Sequence, residues 1–301
     1  MQNFQTFTET FPWFIPALFF MFGACAGSFL NVCILRIPQG KSIVRPPSSC
    51  ACGKLIAWYD NIPVLSWFLL RGKARCCGRK FSFRYPAIEL LTAACFLILA
   101  LEMPLQNAIV GAVFISLMIA ASFIDIDNLC LPDSITVGGA AAGLVISIAL
   151  PATQGVSLDE LPYIAAAMKG GILSILGMAV GSGVLYWMRL GAQYAFRREA
   201  MGEGDVVLLG CIGAFCGWQG ALFAIFGGSL IGSILILPIL AIRKLFGVKP
   251  KAKPLADDEE NSEGMIPFGP WLCLGGALYY MFLSNFIDGY FGGFSTALFG
   301  I

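Results

Sequence analysis

Histidine is absent from this 301-residue chain. That absence removes Ser-His-Asp and Cys-His nucleophile systems and every histidine-ligated metal site. Acid–base chemistry must then come from carboxylates, lysine, tyrosine or thiols. Charge is scarce too: 12% of residues are Asp, Glu, Lys or Arg and 58% are hydrophobic, where a soluble domain carries about a quarter charged residues. With a mean hydropathy of +0.80 and recurrent apolar runs of about 20 residues, the chain reads as an all-α, polytopic membrane protein. Its net charge of +1 argues for no particular partner, and no nucleic acid is expected. The run from Phe11 to Ile37 is too long for a signal-peptide core, has no basic segment before it, and reads as a retained helix.

Eight apolar segments are candidate spans: 12–36, 86–102, 106–124, 132–150, 170–188, 205–219, 221–242 and 267–285. Basic residues test their orientation. Of 19 Lys and Arg residues, ten lie between Arg36 and Arg84, three follow the fifth span and five lie between Arg243 and Lys253. The first 35 residues and the connectors 103–106, 151–162 and 219–220 carry none; Lys169 is the one exception to the alternation. Both termini are therefore expected on the periplasmic or external side. The expected organisation is a first transmembrane helix (1–37), a cytoplasmic cysteine-containing loop domain (38–85) and a transmembrane catalytic domain (86–301). Within the last, 249–264 is polar and proline-punctuated and reads as a disordered loop. The glycine-broken apolar tail reads as interfacial rather than as a ninth span.

This topology places four acids at the cytoplasmic boundary. Asp125 and Asp127 close the third span in "FIDIDNLCLPD", Asp133 opens the fourth, and Asp205 opens the sixth in "MGEGDVVLLGCIGAF". Asp133 suits a helix cap or dipole partner and Asp127 a solvated loop acid. Asp205 follows Gly202 and Gly204, which would let a second chain approach closely. Two carboxylates held close share one proton, so one can activate water while the other polarises a carbonyl. Spacing alone does not choose the partner of Asp205.

Six segments in order resemble the prepilin peptidases, the bifunctional type IV leader peptidase and N-methyltransferase family of G-x-G-D intramembrane aspartyl proteases. They are "GSFLNVCILRIP" (27–38), "WYDNIPVLSWFLLRG" (58–72), "RYPAIELLTA" (84–93), "FIDIDNLCLPD", "MGEGDVVLLGCIGAFCGW" and "IPFGP" (266–270). The resemblance implies that Asp125, seven residues before Pro132, and Asp205 are the catalytic pair. It also implies prepilins or pseudopilins as substrates, for a type IV pilus or a type II secretion system. Such substrates carry a short basic leader in the cytoplasm and an apolar helix in the bilayer of the bacterial inner membrane. Cleavage at the cytoplasmic face is followed by N-methylation with S-adenosylmethionine. A departure is Val207, where relatives often carry lysine. The rival functional classes are an ion- or proton-coupled transporter and an inactive pilus or secretion scaffold.

Seven of eleven cysteines lie singly in or beside spans and suit packing, whereas Cys50, Cys52, Cys76 and Cys77 cluster in the 38–85 loop. In a reducing cytosol four such thiols suit zinc better than disulfides. Related loops carry two CxxC knuckles; here stand "CAC" and "CC", with Ala74 where a cysteine is expected. The alternative is a metal-free loop that packs "WYDNIPVLSWFLL" on the membrane surface.

Overall fold

A computed structural model describes residues 10–50, 52–158, 161–197, 202–245 and 267–299. The loop expected near 249–264 lies outside the described residues. Most of the described chain is helical: α1 (Phe14–Arg36), the short α2 (Leu65–Leu69), α3 (Arg84–Glu102), α4 (Leu105–Asn128), α5 (Asp133–Ala149), α6 (Tyr163–Phe196), α7 (Glu203–Leu245), α8 (Gly269–Leu278) and α9 (Ser284–Phe299). A π-helical turn, Tyr279–Leu283, joins the last two. Among the described residues, five helices are long and apolar enough to cross a membrane: Phe14–Gln39, Arg84–Glu102, Leu105–Asn128, Tyr163–Ala195 and Glu203–Pro238. The shorter α5 is apolar as well.

Helices in lipid gain little from apolar burial against each other, so they associate where small residues let backbones approach. Here a Cβ on Gly23 would meet Ala93 Cα at 2.8 Å, and one on Gly27 would meet Glu89 Cα at 2.6 Å, which seats α1 against α3. Gly177 of α6 lies on Gly213 of α7 in the same way. The buried core forms around Phe114, Ile124, Leu208, Ile212 and Leu272.

The α7 segment is two helices joined at Gly217, whose φ of 67° and ψ of −175° suit glycine. Its two halves run in opposite senses along α8. Asp205 and Ile212 lie beside Gly269 and Gly276, whereas Ala224 lies by Gly275 and Gly228 by Trp271. The chain therefore reverses at Gly217, two residues before the 219–220 connector that the sequence places between the segments 205–219 and 221–242. Helix ends in a low dielectric need hydrogen-bond partners. The Ala214 carbonyl accepts from Ser174 Oγ at 3.0 Å and from Gln154 Nε2 at 3.0 Å, and Gln154 also donates to the Phe215 carbonyl at 3.3 Å.

Between α1 and α3 the chain forms two small hairpins, each with a single antiparallel bridge: Ser49 with Leu55, and Lys73 with Lys80. Glycines in the left-handed region turn them, Gly53 at φ 84° and Gly78 at φ 68°. Val64, just before α2, sits at φ 62° and ψ −56°. For a β-branched residue this is a strained backbone, at a cost of about 1–3 kcal/mol.

Candidate active site

Three motifs far apart in sequence meet at one point. Asp125 lies in the last turn of α4, which ends at Leu129 with φ 51°. Asp205 lies in the first turn of α7, and Gly269 begins α8. The Gly269 N–H donates to Asp125 Oδ2 at 3.1 Å. A Cβ on Gly269 would come to 2.6 Å from that oxygen and to 3.4 Å from Asp205 Oδ1. Both carboxylates thus reach the same small space beside the Gly269 α-carbon. Both are buried, Asp125 at 6% and Asp205 at 7% exposure.

Helix placement explains how two acids are tolerated there. The N-terminal ends of α7 and α8 both point to the pair, and helix N-termini favour negative charge. Asp125, at a helix C-terminus, has no such help from its own helix and takes the Gly269 N–H instead. No lysine or arginine pairs with either acid among the ion pairs of the described residues.

The other acids are placed differently. Asp127, expected as a solvated loop acid, is paired: Arg84 Nη1 donates to its Oδ1 at 2.8 Å, and Nη2 lies 2.6 Å from Oδ2. The Arg84 guanidinium also stacks 5.1 Å from the Phe123 ring centroid, so α3 clamps the end of α4. Asp133 stands in the first turn of α5 with Pro132 before it and makes no side-chain cap bond, leaving only the dipole role. The clearance expected around Gly204 is taken by this chain itself. A Cβ there would meet Leu131 Cβ at 2.9 Å, so Gly204 is small to admit the leucine of the LPD motif.

The profile of the Type IV leader peptidase family matches residues 112–237, and that of the bacterial peptidase A24 N-terminal domain matches residues 21–103. A prepilin leader peptidase/N-methyltransferase of Myxococcus xanthus is 35% identical, covering 85% of this chain and 87% of its own length. The chain belongs to the type IV leader peptidase family. Proteins of the same description from Pectobacterium carotovorum subsp. carotovorum and Dickeya chrysanthemi are each 33% identical, over 95% and 90% of this chain and 99% and 94% of their own. No solved structure is detectably similar to it. Both aspartates fall in the peptidase-family segment, and the four clustered cysteines fall in the N-terminal segment. Gly269 lies beyond both matches.

In the N-terminal segment the two hairpin turns bring the sulfurs of Cys50, Cys52, Cys76 and Cys77 within 4.8 Å of one another. Sulfur–sulfur distances are 3.5 Å for Cys50–Cys77 and 3.4 Å for Cys52–Cys76. A tetrahedral cage with metal–sulfur bonds of about 2.3 Å needs sulfur–sulfur edges of about 3.8 Å, so the set fits one four-thiolate cation. Each hairpin supplies two ligands despite the altered spacing. Ala74, buried at 7%, fills the position where the family's cysteine is expected, and Cys76 reaches the cluster in its place. The thiols are already unequal. The Cys52 backbone N–H, then the Cys76 and Cys77 thiols, draw Cys50 down to about 7. Cys76 is pushed up to about 12, chiefly by its hydrogen bond with Cys52.

Gly269 and Arg84 were not legible as site residues from the sequence alone. The "IPFGP" motif marked the segment of Gly269, but nothing local to it points to a carboxylate 144 residues away.

Proposed function

We propose that this chain removes the leader peptide from type IV prepilins or pseudopilins and then N-methylates the new amino terminus. The observation that carries the reading is the convergence of Asp125 and Asp205 on the space beside Gly269. Water adds to the scissile carbonyl as its proton passes to the ionised carboxylate. The protonated partner hydrogen-bonds the carbonyl oxygen, and collapse of the tetrahedral intermediate delivers a proton to the departing amine. Burial of the pair excludes competing water and strengthens each of these interactions.

The basic loops 38–85, 189–204 and 243–264 support a cytoplasmic position for this site, with eight spans and both termini outside the bacterial inner membrane. S-adenosylmethionine is the methyl donor in this reading; its methyl passes from sulfonium to the neutral amine nitrogen, and a thioether leaves. Zinc held by Cys50, Cys52, Cys76 and Cys77 would staple a 38–85 loop too small to have a core of its own.

The test is purified protein incubated with a prepilin peptide and followed by mass spectrometry. Loss of the leader, and gain of one methyl group only when S-adenosylmethionine is added, is the expected result. A peptide that stays intact refutes the reading.

A further inference from the structure

Two cavities flank α1, and their chemistry differs. One, of about 590 Å³, runs between α1 and α4 and is walled by apolar side chains such as Phe22, Leu30, Ile109, Leu117 and Ile135. It suits hydrocarbon. The other, of about 370 Å³, lies between the C-terminal half of α1 and the loop domain. Ser28, Phe29 and Arg36 form its helix wall, and Pro46, Ser48 and Asn61 form its loop wall. Small-molecule sites begin at about 300 Å³ and combine apolar surface with a few polar groups. Only the second cavity has that mixture.

We propose that this second cavity is the binding site of the methyl donor, an inference that rests on the N-methyltransferase reading above. A sulfonium nucleoside is charged and water-soluble, so it must arrive from water rather than lipid. The loop wall of the cleft belongs to the most basic connector of the chain, which that topology places in the cytoplasm. The Phe29 ring and the Pro46 ring offer flat apolar surface to a purine. Ser28, Ser48 and Asn61 offer hydroxyl and amide groups to the ribose and the amino-acid head. Arg36 uses one nitrogen to donate to the Ser42 carbonyl at 3.0 Å, and a guanidinium has further donors for a carboxylate.

Both walls are held by features that the peptidase chemistry does not use. On the loop side, Ile56 N–H donates to the Ser48 carbonyl at 3.0 Å and closes the hairpin that carries Cys50 and Cys52. Asn61 follows Asp60, whose carboxylate takes Arg75 Nε at 3.0 Å and Nη2 at 2.8 Å, and Arg75 adjoins Cys76. The four-thiol cluster therefore braces the loop wall from both hairpins. On the helix side, buried Glu89 of α3, whose Cα packs on Gly27 of α1, accepts the Val64 N–H at 2.7 Å. That bond holds the strained Val64 next to Pro63, which also lines the cleft. A buried acid and a strained backbone kept beside a cleft are what a built site looks like.

The test uses the full chain in detergent or nanodiscs, with S-adenosyl-L-homocysteine as probe in isothermal titration calorimetry. Ser48→Trp and Asn61→Trp fill the cleft from the exposed loop side and are expected to weaken the probe at least tenfold. Asn61→Ala, which adds no bulk, should weaken it by a smaller factor. Leader cleavage and melting temperature should stay at wild-type values in all three, which separates loss of the site from loss of the fold. Wild-type probe affinity in both tryptophan variants overturns the cleft assignment and leaves the methyltransferase reading standing. Wild-type protein that neither binds the probe nor methylates overturns the reading, and the site with it.

Discussion

Replacing Gly269 with alanine adds one methyl group at the point where the two acids meet. That carbon would stand 2.6 Å from Asp125 Oδ2 and 3.4 Å from Asp205 Oδ1. Comfortable contacts lie near 3.5 Å, so the Asp125 carboxylate must retreat by about 1 Å. A misplacement of about 1 Å in a catalytic group costs on the order of 100-fold in rate, or about 2.7 kcal/mol. The backbone N–H that donates to Asp125 survives the substitution, so the loss reports the added volume and not a missing hydrogen bond. Alanine is also a better helix former than glycine, which removes a backbone reason for unfolding. The assay is kcat/KM for cleavage of a prepilin peptide, read beside methylation of a peptide supplied already cleaved. Cleavage should fall about 100-fold, while methylation of the cleaved peptide should hold. Cleavage by the Gly269→Ala protein at the wild-type rate would refute the placement of both carboxylates.

Three further outcomes follow from other contacts. Replacing Cys52 and Cys77 with serine should release about one equivalent of zinc by elemental analysis and lower methylation more than cleavage; metal-free wild-type protein active in both reactions would refute the zinc site. Asp127→Asn should retain most cleavage, since an amide oxygen still accepts from Arg84, whereas Arg84→Ala should lower cleavage several-fold by loosening the last turn of α4; equal, full activity in both would show that the clamp does not matter. With the loop metal first removed by a chelator, thiol reagents added from each side of the membrane should label the exposed Cys52 and Cys76 from the cytoplasm, and periplasmic labelling would overturn the topology.

The acids were legible because charge stands out against long apolar runs, and alternation of basic connectors orders those runs without any tertiary information. Asp125 and Asp205 could be paired only through the family resemblance, since 80 residues separate them and helix periodicity carries no record of which helix ends meet. Gly204 was read as clearance for a substrate, but a glycine's sequence context does not say whose atoms will use the space; here it is Leu131. Asp127 looked solvated for the same reason: its partner, Arg84, lies 43 residues away on another helix. The CAC and CC spacing left a zinc site and a metal-free loop both open, because neighbouring side chains diverge along an extended chain. Gly53 and Gly78 change that by turning each pair into a tight hairpin. The reversal at Gly217 was visible in outline as a break between two apolar runs, and its carbonyl partners Gln154 and Ser174 were not.

The central claim is that two aspartates act together on one peptide bond. The most direct measurement is single-turnover cleavage of a prepilin peptide by the Asp125→Asn and Asp205→Asn proteins, each checked for membrane insertion and for methylation of a pre-cleaved peptide. An amide can neither give nor take the shared proton, so each substitution should abolish cleavage and leave methylation in place. Cleavage at the wild-type rate by either variant would contradict the account.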